Sequence, residues 1–281
     1  MEEIQRLKRE IALRLSRLYP QPEAEQMARQ LLEESSGVPY PSLLLSDRAQ
    51  FDERRVEEWV GRLLEGEPIQ YVLGVAYFAG MRLSVRPGVL IPRPETEELC
   101  DLITREVVPP AARRAIDLCT GSGCIALALA RELGELHVTA LDISEVALEV
   151  VRENIQREGL EERIELRQGD LLSPDFRAEG QFDLVVSNPP YVLEHEAEEM
   201  LPHVLDHEPE EALFVPNEDG ILFYRRILEL YVPQLNSGGV IAFELNPLTA
   251  QEVLAEGARY GLKGTLRQDL CGRERFYIGR R

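Results

Sequence analysis

The stretch AIDLCTGSGCIALALARE, residues 115–132, reads as a strand, a glycine loop and a helix with nothing between them. Gly121 and Gly123 let the backbone approach a ligand closely, at a helix N-terminus whose free N–H groups attract anionic groups. Alone the motif is unspecific. A GxGxxA pattern serves nicotinamide and flavin enzymes, and tight packing of a strand against a helix requires the same glycines.

The runs that follow place this unit in a fold. HVTALDI (137–143), RIELRQGD (163–170), FDLVVSNPPY (182–191) and GGVIAFEL (238–245) are apolar and strand-like, with helical patterns between them. That alternation predicts an α/β fold with a doubly wound, Rossmann-like, mostly parallel sheet. GTLRQDL (264–270) and ERFYIGR (274–280) are separated only by Cys271-Gly272-Arg273, too short for a helical crossover, so they should pair antiparallel at the C-terminus.

Upstream, Ile4, Leu7, Ile11, Leu15 and Leu18 recur at three- and four-residue spacing, as do Met27, Ala28, Leu31 and Leu32, and then Val56, Trp59, Val60, Leu63 and Leu64. Residues 1–73 therefore read as a small helical bundle. VAYFAGMRLSV (75–85) reads as a hairpin around Ala79-Gly80 inside a linker spanning 74–92. Pro92 and Pro94 force extended backbone before a helix whose first turn is supplied with Glu95, Glu97 and Glu98. Residues 93–281 carry the strand and helix alternation and read as one α/β domain.

The chain has 281 residues and a net charge of −19. Residues 1–92 carry 14 acidic and 12 basic side chains, and residues 93–281 carry 36 and 19, so the acidity belongs to the second part. Such a surface lacks the Lys and Arg that a broad grip on nucleic acid requires, and suits a partner with a basic face. Cysteines 100, 119, 124 and 271 form no CxxC pair and no disulfide framework, which fits a reducing cytoplasm. The opening MEEIQRLKREIALRLSRLY lacks the continuous apolar stretch of a secretory signal, and no later run approaches membrane-spanning length; a soluble cytoplasmic monomer is expected.

Chemistry is expected at the carboxyl ends of the strands. Asp142 closes the second strand, 19 positions after Gly123, where a carboxylate can accept hydrogen bonds from both ribose hydroxyls of a cofactor. Asp117, just before the loop, would repel a pyrophosphate but suits a cofactor with a cationic amino group and a sulfonium, which favours S-adenosyl-L-methionine over NAD. Asp170, with Leu171 beside it, is assigned to the adenine edge; capping of the following turn is an equal use for that Asp.

The fourth strand delivers Asn188-Pro189-Pro190-Tyr191. An amide or amino-aromatic nitrogen is a poor nucleophile because its lone pair is delocalised. If the Asn188 oxygen and the Pro189 carbonyl each accept one substrate N–H, they pull the nitrogen toward pyramidal geometry, and the bonds strengthen as positive charge develops. The prolines stiffen the loop, and Tyr191 offers a ring face to a planar group.

With these residues in place the chain resembles the protein-(glutamine-N5) methyltransferases of the HemK/PrmC family, which modify peptide chain release factors. Beyond NPPY, shared with adenine and cytosine amino-methyltransferases, the resemblance includes EPIQYVLG (67–74), LIPRPETEEL (90–99) and HEPEEAL (207–213) and covers nearly the whole chain. It implies a helical substrate-recognition domain at 1–73, a class I S-adenosylmethionine-dependent methyltransferase domain at 93–281 and, as substrate, the glutamine of a Gly-Gly-Gln motif. It places cofactor contacts on Thr120, Gly121, Ser122, Gly123, Asp142 and Leu171, with Asn188 to Tyr191 holding the glutamine and Arg93 and the neighbouring prolines bordering the cofactor pocket; Cys119 and Asn188 are further candidate cofactor contacts. Cys119 stands where such proteins usually have glycine, and would be strained if that position demands a positive φ. Glu244, in FELNP, is a candidate supporting residue.

His203 and His207 have the i, i+4 spacing of zinc ligands, but no HExxH pattern or cysteine cluster accompanies them, so no metal is expected. Residues 194–211 carry eight acidic side chains, read equally as a steering surface for a basic release factor or as a solvated face. The competing functions are an adenine-N6 methyltransferase acting on nucleic acid, which would need a basic face, and a non-catalytic binding module on the same scaffold.

Overall fold

The computed structural model describes residues 2–45 and 51–281, the side chains of residues 199 and 202 excepted. Two compact units are present, one of Met1–Val75 with Leu201–His207, the other of Ala76–Met200 with Glu208–Arg281.

In the first unit α1 (Glu2–Leu15), α2 (Gln21–Ser36) and α4 (Glu53–Leu64) follow the apolar spacing of the sequence, and the short α3 (Tyr40–Leu45) and α5 (Ile69–Leu73), which that spacing does not announce, join them. Leu15, Ala28, Leu31, Val60 and Leu63 are among the side chains that meet in one buried core. The ends are written locally. Pro20 precedes α2 and Gly37 ends it at φ 68°, while Asp52 caps α4 by accepting from the N–H groups of Arg54 and Arg55 at 3.1 Å each.

The second unit begins within the hairpin of β1 (Val75–Phe78, its first residue counted with the first unit) and β2 (Met81–Ser84). Its turn residues Ala79 and Gly80 have φ of 47° and 72°, as a two-residue hairpin loop requires. The sequence assigned this segment to a linker. Phe78, Met81 and Leu83 are instead buried in the same core as the helices that cover the large sheet, so the hairpin is part of the packed domain.

There follow α6 (Pro94–Leu102), β3 (Arg114–Leu118), α7 (Cys124–Glu132), β4 (His137–Asp142), α8 (Glu145–Glu158), β5 (Ile164–Gln168), β6 (Phe182–Ser187), the two-residue strand β7 (Val192–Leu193), α9 (Pro202–His207, counted with the first unit), its partner β8 (Phe214–Val215), α10 (Leu222–Tyr231), β9 (Leu235–Glu244), α11 (Ala250–Arg259), β10 (Lys263–Gln268) and β11 (Glu274–Arg280). The large sheet has the order β10-β11-β9-β6-β3-β4-β5. β9, β6, β3, β4 and β5 are parallel, and β11 is antiparallel to both β9 and β10, as the short Cys-Gly-Arg connection demands.

Period-two alternation sorts the strand residues between two cores. Ala115, Leu184, Val186, Ala140 and Ala242 pack with α6, α7 and α8. Ile116, Leu118, Val185, Ile241 and Phe243 pack with α10 and α11. Near the antiparallel edge, Tyr277 fills space that three glycines leave open: a Cβ on Gly257, Gly264 or Gly279 would come within 2.0, 2.7 or 2.6 Å of its ring or hydroxyl. The hydroxyl itself is buried and has no hydrogen-bond partner among the described residues.

Register brings the functional loops to one edge. Leu118 lies opposite Leu141 and Ser187, and Asp142 opposite Gln168, so the loops after β3, β4, β5 and β6 open side by side.

Candidate active site

These loops surround a cavity of about 220 Å³. Its wall includes Cys119 to Ser122 from the glycine loop, Asp142 to Ser144 after β4, Gly169 to Leu172 after β5, and Asn188 and Pro190 after β6. Residues 88–93 form a further wall.

The glycine loop zigzags through left-handed backbone, with φ of 59° at Cys119, 56° at Gly121 and 80° at Gly123. The position that concerned the sequence reading therefore does demand a positive φ, and Cys119 bears a strain of about 1 kcal/mol that glycine would not. Gly121 is held from the next strand: its N–H donates to Asp142 Oδ2 at 2.9 Å, and nothing lies within 4 Å of where a Cβ would stand. Gly123 packs tightly instead. A Cβ there would sit 2.8 Å from Val151 Cγ1 on α8, so Gly123→Ala is expected to cost about 2 kcal/mol and to weaken cofactor binding, measured by thermal unfolding and calorimetry.

The acids divide into distinct jobs. Asp142, nearly buried, accepts from Gly121 N and, through Oδ1, from Ser144 N at 2.9 Å; burial raises its carboxyl above the usual range against the pull of those bonds. Asp170 is exposed, lies on the cavity wall and accepts from Leu172 N at 2.9 Å, so it caps its turn and faces the cavity at once. Asp117 lies off the wall. It is completely buried behind the loop, where Oδ2 accepts from Thr120 Oγ1 at 2.5 Å and from Ala126 N of α7 at 3.2 Å. Its Oδ1 has no partner among the described residues, and burial pushes the group up to about 7.

At the reaction end, Asn188 Nδ2 donates to Thr96 Oγ1 at 3.2 Å, and no hydrogen bond to Asn188 Oδ1 is made by the described residues. Thr96, in the first turn of α6, donates to Glu244 Oε2 at 2.7 Å. Glu244 Oε1 accepts from the Tyr191 hydroxyl at 2.9 Å. Pro189 and Pro190 are buried, and only Pro190 of the two reaches the cavity wall. Tyr191 is also off that wall, its ring packed against the core shared with α10 and its hydroxyl held well above its ordinary pKa by burial and the Glu244 charge. Asn246 completes the support, donating from Nδ2 to Tyr191 O at 3.2 Å and to Glu196 at 2.6 Å.

Thr96 and Glu208 lie inside LIPRPETEEL and HEPEEAL, motifs that do not by themselves announce a role for either, and FELNP marks Glu244 only as a supporting candidate. Glu208, 4% exposed, accepts from Ile91 N at 3.1 Å and from Arg93 at 2.6 Å, fastening the 88–93 wall. His195 pairs with Asn217, while His203 and His207 belong to the other unit. Among the described residues no helix is long and apolar enough to cross a membrane.

Comparison with known proteins identifies the family. Residues 96–223 match the Methyltransferase small domain family and residues 7–74 the PrmC N-terminal domain family. A release factor glutamine methyltransferase of Bacteroides thetaiotaomicron is 46% identical over 72% of this chain and 71% of its own length. One from Flavobacterium psychrophilum is 34% identical over 93% of both chains. A crystal structure of a methyltransferase from Pyrococcus furiosus superimposes with a TM-score of 0.53 at 21% identity, covering 78% of this chain and 96% of its own, which speaks for the fold alone. At these identities, sustained from the helical unit to the last strands, the chain belongs to the release factor glutamine methyltransferase family.

Proposed function

We propose that this methyltransferase modifies the side-chain amide nitrogen, N5, of the Gly-Gly-Gln glutamine in peptide chain release factors, with S-adenosylmethionine as methyl donor, in the cytoplasm. The observation that carries the reading is the Asn188 carboxamide, tied by its NH₂ to Thr96 and left with an unengaged oxygen at the cavity.

The cavity fits the donor's charge. Asp142, Asp170 and Glu211 stand on its wall, Arg93 is its one Lys or Arg and is paired with Glu208, and Asp117 lies behind with an oxygen unpaired. Such a site disfavours a pyrophosphate and favours a cation. Cys119 to Ser122, Asp142, Asp170 and Leu171 would hold S-adenosylmethionine, which when bound supplies a methyl group on an already activated sulfonium.

The acceptor needs orientation rather than a strong base. Asn188 Oδ1 and the Pro189 carbonyl accept the two N–H bonds of the glutamine amide and turn its lone pair toward the methyl. Both are bonds that tighten as the nitrogen becomes positive, so they lower the barrier more than they stabilise bound substrate.

Incubation with labelled S-adenosylmethionine and, separately, a release factor, its variant lacking the Gly-Gly-Gln glutamine, and DNA tests the reading. Label is expected in the intact release factor alone; label in DNA would move the function to the nucleic-acid class.

The acidic segment 194–211 bears on delivery of that substrate. Glu196 and Glu208 are occupied in structural bonds, but Glu194, Glu198 and Glu210 are exposed. Reversing these three to Lys is expected to lower kcat/KM several-fold at low salt and little at high salt. An unchanged salt dependence would leave the segment as a solvated face.

A further inference from the structure

We infer that Thr96 and Glu244 are positioning residues that decide which end of the Asn188 carboxamide faces the reacting nitrogen. This rests on the proposed role of Asn188 as an acceptor for the substrate N–H.

The two ends of a carboxamide have nearly the same shape but opposite hydrogen-bonding sense. Rotating the Asn188 side chain by half a turn would present an NH₂ to the substrate amide, donor against donor, and remove the bond that assists transfer. Asn188 alone does not resist that rotation. The network behind it does.

A carboxylate only accepts hydrogen bonds. Glu244 accepts one from Tyr191 through Oε1 and one from Thr96 through Oε2. The single hydroxyl proton of Thr96 is therefore committed to Glu244, and Thr96 Oγ1 offers Asn188 lone pairs alone. The end of Asn188 that meets it, 3.2 Å away, must be the NH₂, so the oxygen points the other way. Thr96 is 2% exposed and Glu244 1% exposed, which keeps bulk water from substituting for either partner. The direction of every bond in the relay is set by one negative charge two residues removed from the substrate.

Burial pulls the Glu244 carboxyl above its usual range, while the Thr96 and Tyr191 hydroxyls and the nearby Arg275 charge oppose that and Glu95 adds to it. The two hydroxyl donors thus serve the carboxylate as much as it serves them.

Thr96→Val keeps the shape of the side chain and removes the hydroxyl, and Thr96→Ser restores it. Two readouts follow each variant: the side-chain amide resonance of Asn188 by NMR, assigned through its disappearance in Asn188→Ala, and kcat with a release factor. In Thr96→Val the Asn188 amide protons are expected to lose their protection from exchange, and kcat to fall about tenfold, the loss of one bias of the size of a hydrogen bond. Cofactor affinity should stay within threefold, and Thr96→Ser should recover both readouts. In the Asn188→Ala background Thr96→Val should cost less than a further twofold, since it acts through the residue already removed.

An Asn188 resonance unchanged by Thr96→Val, or an equal loss of kcat with and without Asn188, would overturn the inference. Thr96→Ala gives the same NMR comparison should the valine variant not fold. If the wild-type protein labels no release factor while its Asn188 resonance still depends on Thr96, the substrate reading fails and the positioning stands.

Discussion

Asn188→Ala is expected to lower the rate of methylation by about 100-fold or more, with cofactor affinity changed only a few-fold, because it deletes one hydrogen-bonding group aimed at charge that develops in the transition state. The expected split follows from where the residue sits. Asn188 touches the cavity, but the walls at Cys119 to Ser122, Asp142 and Leu171 remain intact without it. Single-turnover rates with a release factor, alongside calorimetric titration of S-adenosylmethionine, separate the two effects. Near-normal turnover would remove Asn188 from the mechanism. Asn188→Asp is a sharper companion: it keeps an oxygen toward substrate but sets a carboxylate against the Thr96 oxygen, whose only proton is committed to Glu244.

Asp117→Asn is expected to stabilise the free protein at pH 8 and to weaken cofactor binding there by about 100-fold. The folded protein holds the Asp117 proton up to about pH 7, against an ordinary value of 3.8. Between those values the folded state binds more protons than the unfolded chain, so this group's contribution to stability is complete below about pH 4 and is lost as pH rises to about 7. The loss is about 4 kcal/mol at roughly 1.4 kcal/mol per pH unit. The amide escapes that cost but leaves an NH₂ without an acceptor, which returns about 2 kcal/mol, so a net gain of about 2 kcal/mol is expected. Removing one charge near a bound cation costs about 3 kcal/mol in a partly shielded site, hence the 100-fold. Thermal unfolding and cofactor titration at pH 6 and pH 8 measure both. The wild type should bind the cofactor more weakly at pH 6, and the variant should show little change between the two. Unfolding temperatures of the two proteins that run parallel from pH 5 to pH 8 would show that Asp117 is ionised throughout.

Most of the architecture is legible along the chain because it is written in local patterns. Continuous apolar runs such as FDLVVS and the helix-forming CIALALARE define β6 and α7, and the three-residue gap at Cys271-Gly272-Arg273 dictates an antiparallel pair. NPPY, the glycine loop and Asp142 are equally local. The relay at the reaction end is not. Thr96 and Glu244 are 148 positions apart, and nothing in PETEEL or FELNP announces that the first turn of α6 and the last residue of β9 come into register. That meeting depends on the strand order and on which face of the sheet α6 covers. Asp117 is a related case: its position in sequence fits a residue facing the ligand, and the alternation of β3 sets it one layer back, where it braces Thr120 and the start of α7. The hairpin reads as a linker in sequence because four-residue strands carry too little pattern to reveal that Phe78 and Met81 are core residues.

The glycines around Tyr277 have a consequence for how the sequence can change through descent. Gly257, Gly264 and Gly279 come from α11, β10 and β11, so the contacts of one ring constrain three separate stretches of chain. A methyl at any of them collides with the ring unless the ring first shrinks, and a smaller ring leaves a void that only such a methyl can fill. Single steps in either direction are penalised, and a paired step removes the ring's share of the penalty, leaving Leu254 2.8 Å from a Cβ at Gly264 and Leu262 3.0 Å from one at Gly279. The four positions are therefore expected to drift together or stay still, and this corner of the fold should record relatedness among distant members more faithfully than its freely changing surface.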